Sequence, residues 1–219
     1  MQKYLPHGTE MIRIKTMKTA QRPAKARGRP RSFDLDKALD AAMTVFWREG
    51  YEGASLSDLT EAMGISRPSL YAAFGDKESL FHKVLDHYAD GPASFVLEAV
   101  RQPTAQGVIE ALFSGTVDQA TNPANPHGCL LLQAGLACGD GAAAIQRELV
   151  RRRDSGEHLI RERLEQAKTD GDLGGDTHPA DLARYVITVM RGIGVQAANG
   201  ASRDQLQRVA KTALRSLPN

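Results

Sequence analysis

Residues 55–77, running Ser55–Lys77, read SLSDLTEAMGISRPSLYAAFGDK, and their spacing predicts two short helices joined by a tight turn. Ser55 precedes an apolar-periodic run with Asp58 three residues on, close to the capping-box pattern that starts a helix. Leu56, Leu59 and Met63 follow at helical spacing on one face. Gly64 is placed to stop that helix, because a residue without Cβ enters the left-handed C-cap region at little cost. Ile65 plugs the corner. Ser66 can cap a second helix, with Pro68 tolerated in its first turn where the missing N–H has no intrahelical partner. Leu70 and Phe74 then point to a core while Arg67, Ser69 and Tyr71 fall on other faces. A second helix that presents polar residues at its N-terminal end is the recognition helix of a helix-turn-helix; a plain helical hairpin shares the periodicity.

Working outward, the first helix is expected from about Asp34, its cap, to Glu49, with Gly50 as its stop. Trp47 and Tyr51 are read as packing the small core of a three-helix head. Before that helix lies a basic arm. Residues 1–31 carry nine Lys or Arg against Glu10 alone, whereas the whole chain of 219 residues holds 28 basic and 26 acidic side chains for a net charge of +2. A basic arm on a mildly acidic body suits a polyanionic partner. The arm ends in Ala26-Arg27-Gly28-Arg29-Pro30-Arg31, which resembles the Arg-Gly-Arg-Pro core of AT-hook peptides. Arg27, Arg29 and Arg31 are candidates for a narrow minor groove or flanking phosphates; a disordered tail making only phosphate contacts is the alternative. An acid-poor arm also has the composition of a transit peptide, and Met11 and Met17 are alternative starts to Met1. Neither a bilayer-spanning run nor a secretory h-region is present, and a cytoplasmic location is expected.

The stretch Ala38–Leu80, ALDAAMTVFWREGYEGASLSDLTEAMGISRPSLYAAFGDKESL, resembles the DNA-binding domain of the TetR family. The marks are Phe46, Gly50-Tyr51, Ser55, Leu59, Gly64-Ile65-Ser66, Leu70-Tyr71, Phe74 and Lys77-Glu78. The resemblance implies an all-α dimeric repressor released from its operator by a small molecule, with about nine helices. Its domains would be an arm over 1–31, a helix-turn-helix head over 32–76 and a helical effector-binding and dimerisation body over 77–219. Within the head, Arg67 suits a bidentate contact to guanine or a phosphate clamp, and Pro68 suits a thymine methyl group. Ser66 and Ser69 can donate to phosphates or base edges. Ser55 and Lys77 lie at helix starts that favour phosphate. Tyr71 matches the family tyrosine, whose hydroxyl meets the DNA backbone. Repression rather than activation is likewise an implication of the resemblance.

The body is expected to form helices at roughly 77–89, 93–100, 105–120, 128–137, 142–169, 179–198 and 203–217, broken by Gly91-Pro92, Pro103-Thr104, the Asn122–Gly128 loop, Gly139-Asp140-Gly141, the Asp170–Thr177 loop and Asn199-Gly200. Candidate lining for an effector pocket is Tyr88, Phe95, Leu112, Phe113, Val117, Leu131, Gln133, Leu136, Tyr185 and Met190, ordinary core being the alternative for each. The helices at 179–198 and 203–217 are candidates for the dimer surface, through Leu182, Val186, Val189, Met190 and Ile193 with Leu206, Val209, Ala213 and Leu214. The Arg151-Arg152-Arg153 run is read as a solvated face.

Cys129 and Cys138 have no metal or disulfide-framework spacing. Placed in the first turn of a helix beside His127, Cys129 is a candidate redox sensor, against a small buried hydrophobe. A thiol-switched repressor is therefore the second functional reading, and a non-sensing architectural DNA-binding protein the third. Phosphate-loop, zinc-protease and nucleophile-elbow motifs are absent from the sequence. His82 and Asp86, four apart, are the one pair weighed for a metal. No enzyme activity, cofactor or metal is expected; double-stranded operator DNA, a second copy of the chain and an effector are.

Overall fold

The computed structural model describes residues 33–136 and 142–217, with the side chain of Leu136 excepted. The basic arm, including Arg27, Arg29 and Arg31, and Cys138 lie outside the described residues. Helices are the only regular elements among the described residues, in ten segments: α1 (Leu35–Gly53), α2 (Leu56–Ala62), α3 (Arg67–Phe74), α4 (Lys77–Asp90), α5 (Phe95–Ala99), α6 (Ala105–Ala120), α7 (Leu130–Leu136), α8 (Ala143–Thr169), α9 (Pro179–Ala198) and α10 (Arg203–Arg215).

Local chemistry fixes the ends. Asp34 caps α1 by accepting from the Asp36 and Lys37 amides at 3.0 and 3.3 Å, and Gly50, at φ 74°, leaves the helical path where the sequence places the stop. The α2 capping box is reciprocal: the Asp58 amide donates to Ser55 Oγ at 3.1 Å and the Ser55 amide to Asp58 Oδ2 at 3.0 Å. Hydrogen bonding from the Ser55 hydroxyl and then the Ser55 amide holds the Asp58 carboxyl below its usual range. Gly64 takes φ 63° in the turn, and Ile65 packs half-buried against the core.

The stretch expected over 93–100 contracts to the five residues of α5, because the Ser94 hydroxyl donates back to the Gly91 carbonyl at 2.8 Å and caps nothing.

Two apolar cores result. The first gathers Phe46, Trp47, Leu59, Leu70, Phe74, Phe81 and Tyr88 of α1 to α4, and it continues without a break into Leu130 and Ala134 of α7 and Ile145 and Leu149 of α8. The second joins α5 and α6 to the C-terminal half of α8 and to α9 and α10. Trp47 belongs to the joint between head and body as much as to the head. Its ring is 1% exposed, meets Tyr88 edge-on at 5.1 Å, and donates from Nε1 to Gln133 Oε1 at 2.6 Å.

The dimer-face stripe needs correcting. Leu182, Val186, Ile193, Leu206 and Ala213 are buried within the subunit's own second core. Of that stripe Val209 is exposed and Val189 half-buried; Tyr185, Gly192 and Val195 join them on the outward faces of α9 and α10, and together these line a long open groove. Helices rich in small and apolar residues on several faces leave the inward stripe undecided from periodicity alone.

Candidate nucleic-acid interface and effector cavity

α3 is short and amphipathic, and what it hides fixes what it shows. Leu70 and Phe74 are buried, so Ser66, Arg67, Pro68 and Tyr71 face outward, Tyr71 at 51% exposure. Ser66 Oγ accepts the Ser69 amide at 3.3 Å and lies 2.9 Å from Ser69 Oγ. Both serine hydroxyls therefore serve the cap while retaining hydrogen-bonding capacity. Arg67 Nη2 donates to Ser57 Oγ at 2.7 Å, which holds the guanidinium across the corner of α2 and α3. Ser57 is a neighbour that the sequence reading missed, since a pair ten residues apart across a turn has no periodic signal.

Ser55 is exposed at the start of α2. Lys77 opens α4 but is not a freely solvated charge. Its Nζ stands 4.6 Å from the Tyr51 ring centroid and 3.5 Å from the Glu52 carbonyl oxygen. Burial depresses its pKa, partly offset by the Glu52 carboxylate.

The body holds a partly open cavity of about 140 Å³ between α4, α5, α6, α7, α8 and α9. Of the candidate lining residues, Tyr88, Phe95, Leu131 and Met190 line it. The side chain of Leu136 lies outside the described residues, and the other candidates are not part of this lining. Leu112, Phe113 and Val117 are buried in the second core, and Gln133 is engaged by Trp47. Tyr185 turns to the opposite side of α9, its hydroxyl within 2.7 Å of Ser216 Oγ and 3.3 Å of the Ala213 carbonyl. Lining that the sequence reading missed includes Thr116, Gln119, Arg152, Arg153 and Arg191. Arginines on a helix read as solvent-facing, and only the packing of α8 reveals which turn inward.

The Arg151–Arg153 run is thus three different residues. Arg151 is exposed and pairs with Glu148 at 2.6 Å. Arg152, 17% exposed, bonds both Glu148 and Asp86 at 2.6 Å, and Arg153 donates to the Leu131 carbonyl at 3.2 Å. The hydrogen bond from Arg151, with further contributions from Arg152, lowers the Glu148 carboxyl to about 2. Asp86 is accordingly tied to α8, and His82, the other half of the candidate metal pair, lies 3.8 Å from Glu148.

Cys129 also lines the cavity. It precedes α7 rather than occupying its first turn, so its carbonyl accepts the Leu132 and Gln133 amides. The buried Tyr88 hydroxyl donates to Cys129 Sγ at 3.5 Å, and burial raises the Tyr88 pKa well above the usual phenol range. His127 is exposed in the preceding loop.

A capped helix-turn-helix projecting from an all-helical body defines a DNA-binding regulator. Residues 38–84 match the model of bacterial regulatory proteins of the tetR family, and residues 105–213 match the tetracyclin repressor-like C-terminal domain. The HTH-type transcriptional repressor ComR of Escherichia coli (strain K12) is 33% identical over 196 residues, 89% of this chain and 93% of that protein. The repressor BdcR of the same strain is 28% identical over 198 residues, 88% and 93% of the two chains. A cysteine mutant of the TetR family regulator CifR, solved with 26-bp double-strand operator DNA, superimposes with a TM-score of 0.82 at 42% identity, covering 87% of this chain and all of that one. The chain belongs to the TetR family and is a DNA-binding transcriptional regulator. No described helix is long and apolar enough to cross a membrane.

Proposed function

We propose that the protein is a dimeric repressor that holds a near-palindromic operator and leaves it when a small molecule fills the body cavity. One observation carries this reading: the cavity wall is continuous with the head. Tyr88 lines the cavity and packs against Trp47 of α1, while Arg152, also in the wall, grips Asp86 of α4. An occupant that moves Tyr88 or Arg152 acts on α1 and α4, of which α4 packs directly against α3 and α1 reaches it through α2. ComR and BdcR bear the name of repressor, which supports the direction of control.

On the DNA side, Arg67 and Pro68 read bases, while Ser55, Ser66, Ser69, Tyr71 and Lys77 hold phosphates. Arg27, Arg29 and Arg31 extend the contact into a flanking minor groove. Two copies join through the outward faces of α9 and α10, where Tyr185, Val195 and Val209 lie exposed, and the two-fold axis sets the spacing of the half-sites.

A salt titration of binding to the DNA upstream of the protein's own gene, against scrambled DNA of equal length, tests the reading. Preference for the upstream fragment that survives moderate salt supports it. Equal binding to both that collapses together as salt rises leaves only phosphate contacts and favours the architectural reading.

A thiol-switched repressor is the second reading, favoured by the Tyr88 hydroxyl on Cys129 Sγ at the cavity wall. Under it, a Cys129→Ser protein no longer releases DNA on electrophile treatment. Release that persists in that variant ends the reading.

A further inference from the structure

We propose that the cavity takes a small apolar molecule bearing a carboxylate, and that Arg153 is the residue that holds the carboxylate. This rests on the reading of the cavity as the effector site. The charge of the wall is one-sided. Among the described residues, three arginines line the cavity and no Asp or Glu does. Arg152 is already neutralised by Glu148 and Asp86. Arg191 is 40% exposed at its side chain and stands 3.9 Å from Glu157.

Arg153 differs from both. It is half-buried, its Nη1 donates to the Leu131 carbonyl, and no described carboxylate lies within ion-pairing distance. A guanidinium has five N–H donors in a planar fork that matches a carboxylate with two parallel bonds. A half-buried cation without a counter-charge is costly, and an anion supplied by the ligand removes that cost. The Leu131 bond fixes one arm of the fork and leaves the remaining donors for the occupant.

The rest of the wall sets the body of the ligand. Phe95, Val96, Leu132, Ile160 and Ile187 are apolar, so a free inorganic anion leaves most of the surface unused. A cation is repelled by the uncompensated charge of Arg153. The volume, about 140 Å³, is close to that of an engineered protein cavity that holds benzene, so the occupant has roughly six to ten heavy atoms.

The test uses the full-length protein at neutral pH, calorimetric titration, and the fluorescence of Trp47, the only tryptophan in the chain. The probes are benzoate, phenylacetate and isovalerate, each against its neutral amide. Saturable binding of an acid about tenfold or more tighter than its amide, with a Trp47 signal, is expected. An Arg153→Gln protein should bind acid and amide equally while keeping its operator affinity.

Equal binding of acids and amides by the unsubstituted protein overturns the carboxylate assignment yet leaves the effector cavity standing. An acid preference that survives in Arg153→Gln overturns the role of Arg153. If none of the acids and none of the amides binds, both the proposal and the effector reading of the cavity fall.

Discussion

The bond between Trp47 and Gln133 crosses from the DNA-binding head to the body, and it can be isolated by a double-mutant cycle. Trp47→Phe removes the donor of a 2.6 Å bond and shrinks a side chain that is 1% exposed. The orphaned Gln133 carbonyl costs about 1–2 kcal/mol and the void about as much again, for a loss of roughly 2–4 kcal/mol. Gln133→Leu leaves the buried indole N–H without an acceptor and costs about 1–3 kcal/mol. In the double variant neither partner is stranded, so its loss falls short of the sum by about 1–2 kcal/mol. Urea unfolding followed by far-ultraviolet circular dichroism reads all four proteins, since the tryptophan itself is altered. Single losses that add to within about 0.5 kcal/mol would refute a direct bond across the joint. Loss of effector response in both single variants, with operator affinity retained, is the matching functional outcome.

Other outcomes follow from local geometry. Gly115→Ala places a Cβ 2.3 Å from Phe95 Cδ2 and 2.7 Å from its Cγ, so the Phe95 ring must shift; effector affinity measured by titration should change, while operator affinity without effector does not. Arg67→Ala should weaken operator binding by about 1–3 kcal/mol and relax specificity at one base position, whereas Lys77→Gln should weaken all sequences alike and lower the salt slope by about 1. Glu148 has a folded-state pKa depressed to about 2 from 4.5, so its contribution is present above pH 4.5 and is lost as pH falls from there toward 2. With Arg151 exposed and screened, that contribution is about 2 kcal/mol, below the ~3 kcal/mol the shift alone gives. A Glu148→Gln protein should therefore show a shallower loss of stability than the parent across that window in urea titrations.

The head was legible because its determinants are local. Asp34, Ser55 and Ser66 each cap a helix that begins at the next residue, and Gly50 and Gly64 take the positive φ that their positions require. The body was legible in its helix boundaries and much less in its faces. Apolar side chains such as Leu112 and Val117 suit a core and a cavity equally, and only tertiary packing separates them. The inward turn of Arg152 and Arg153 depends on where α4 and α7 lie against α8, which no spacing within α8 records.

The first apolar core, which runs from α1 through α4 into α7 and α8, bears on how such regulators can be recombined. Cutting the chain at residue 76 would leave Leu70 and Phe74 without Leu80 and Phe81, and Trp47 without Gln133. A chimera that transplants the DNA-reading end onto another sensor must carry α4 with it and must find, on its new host, a surface equivalent to α7. The unit of exchange is thus discontinuous in sequence, and residues remote from both DNA and effector decide whether a graft between two relatives folds.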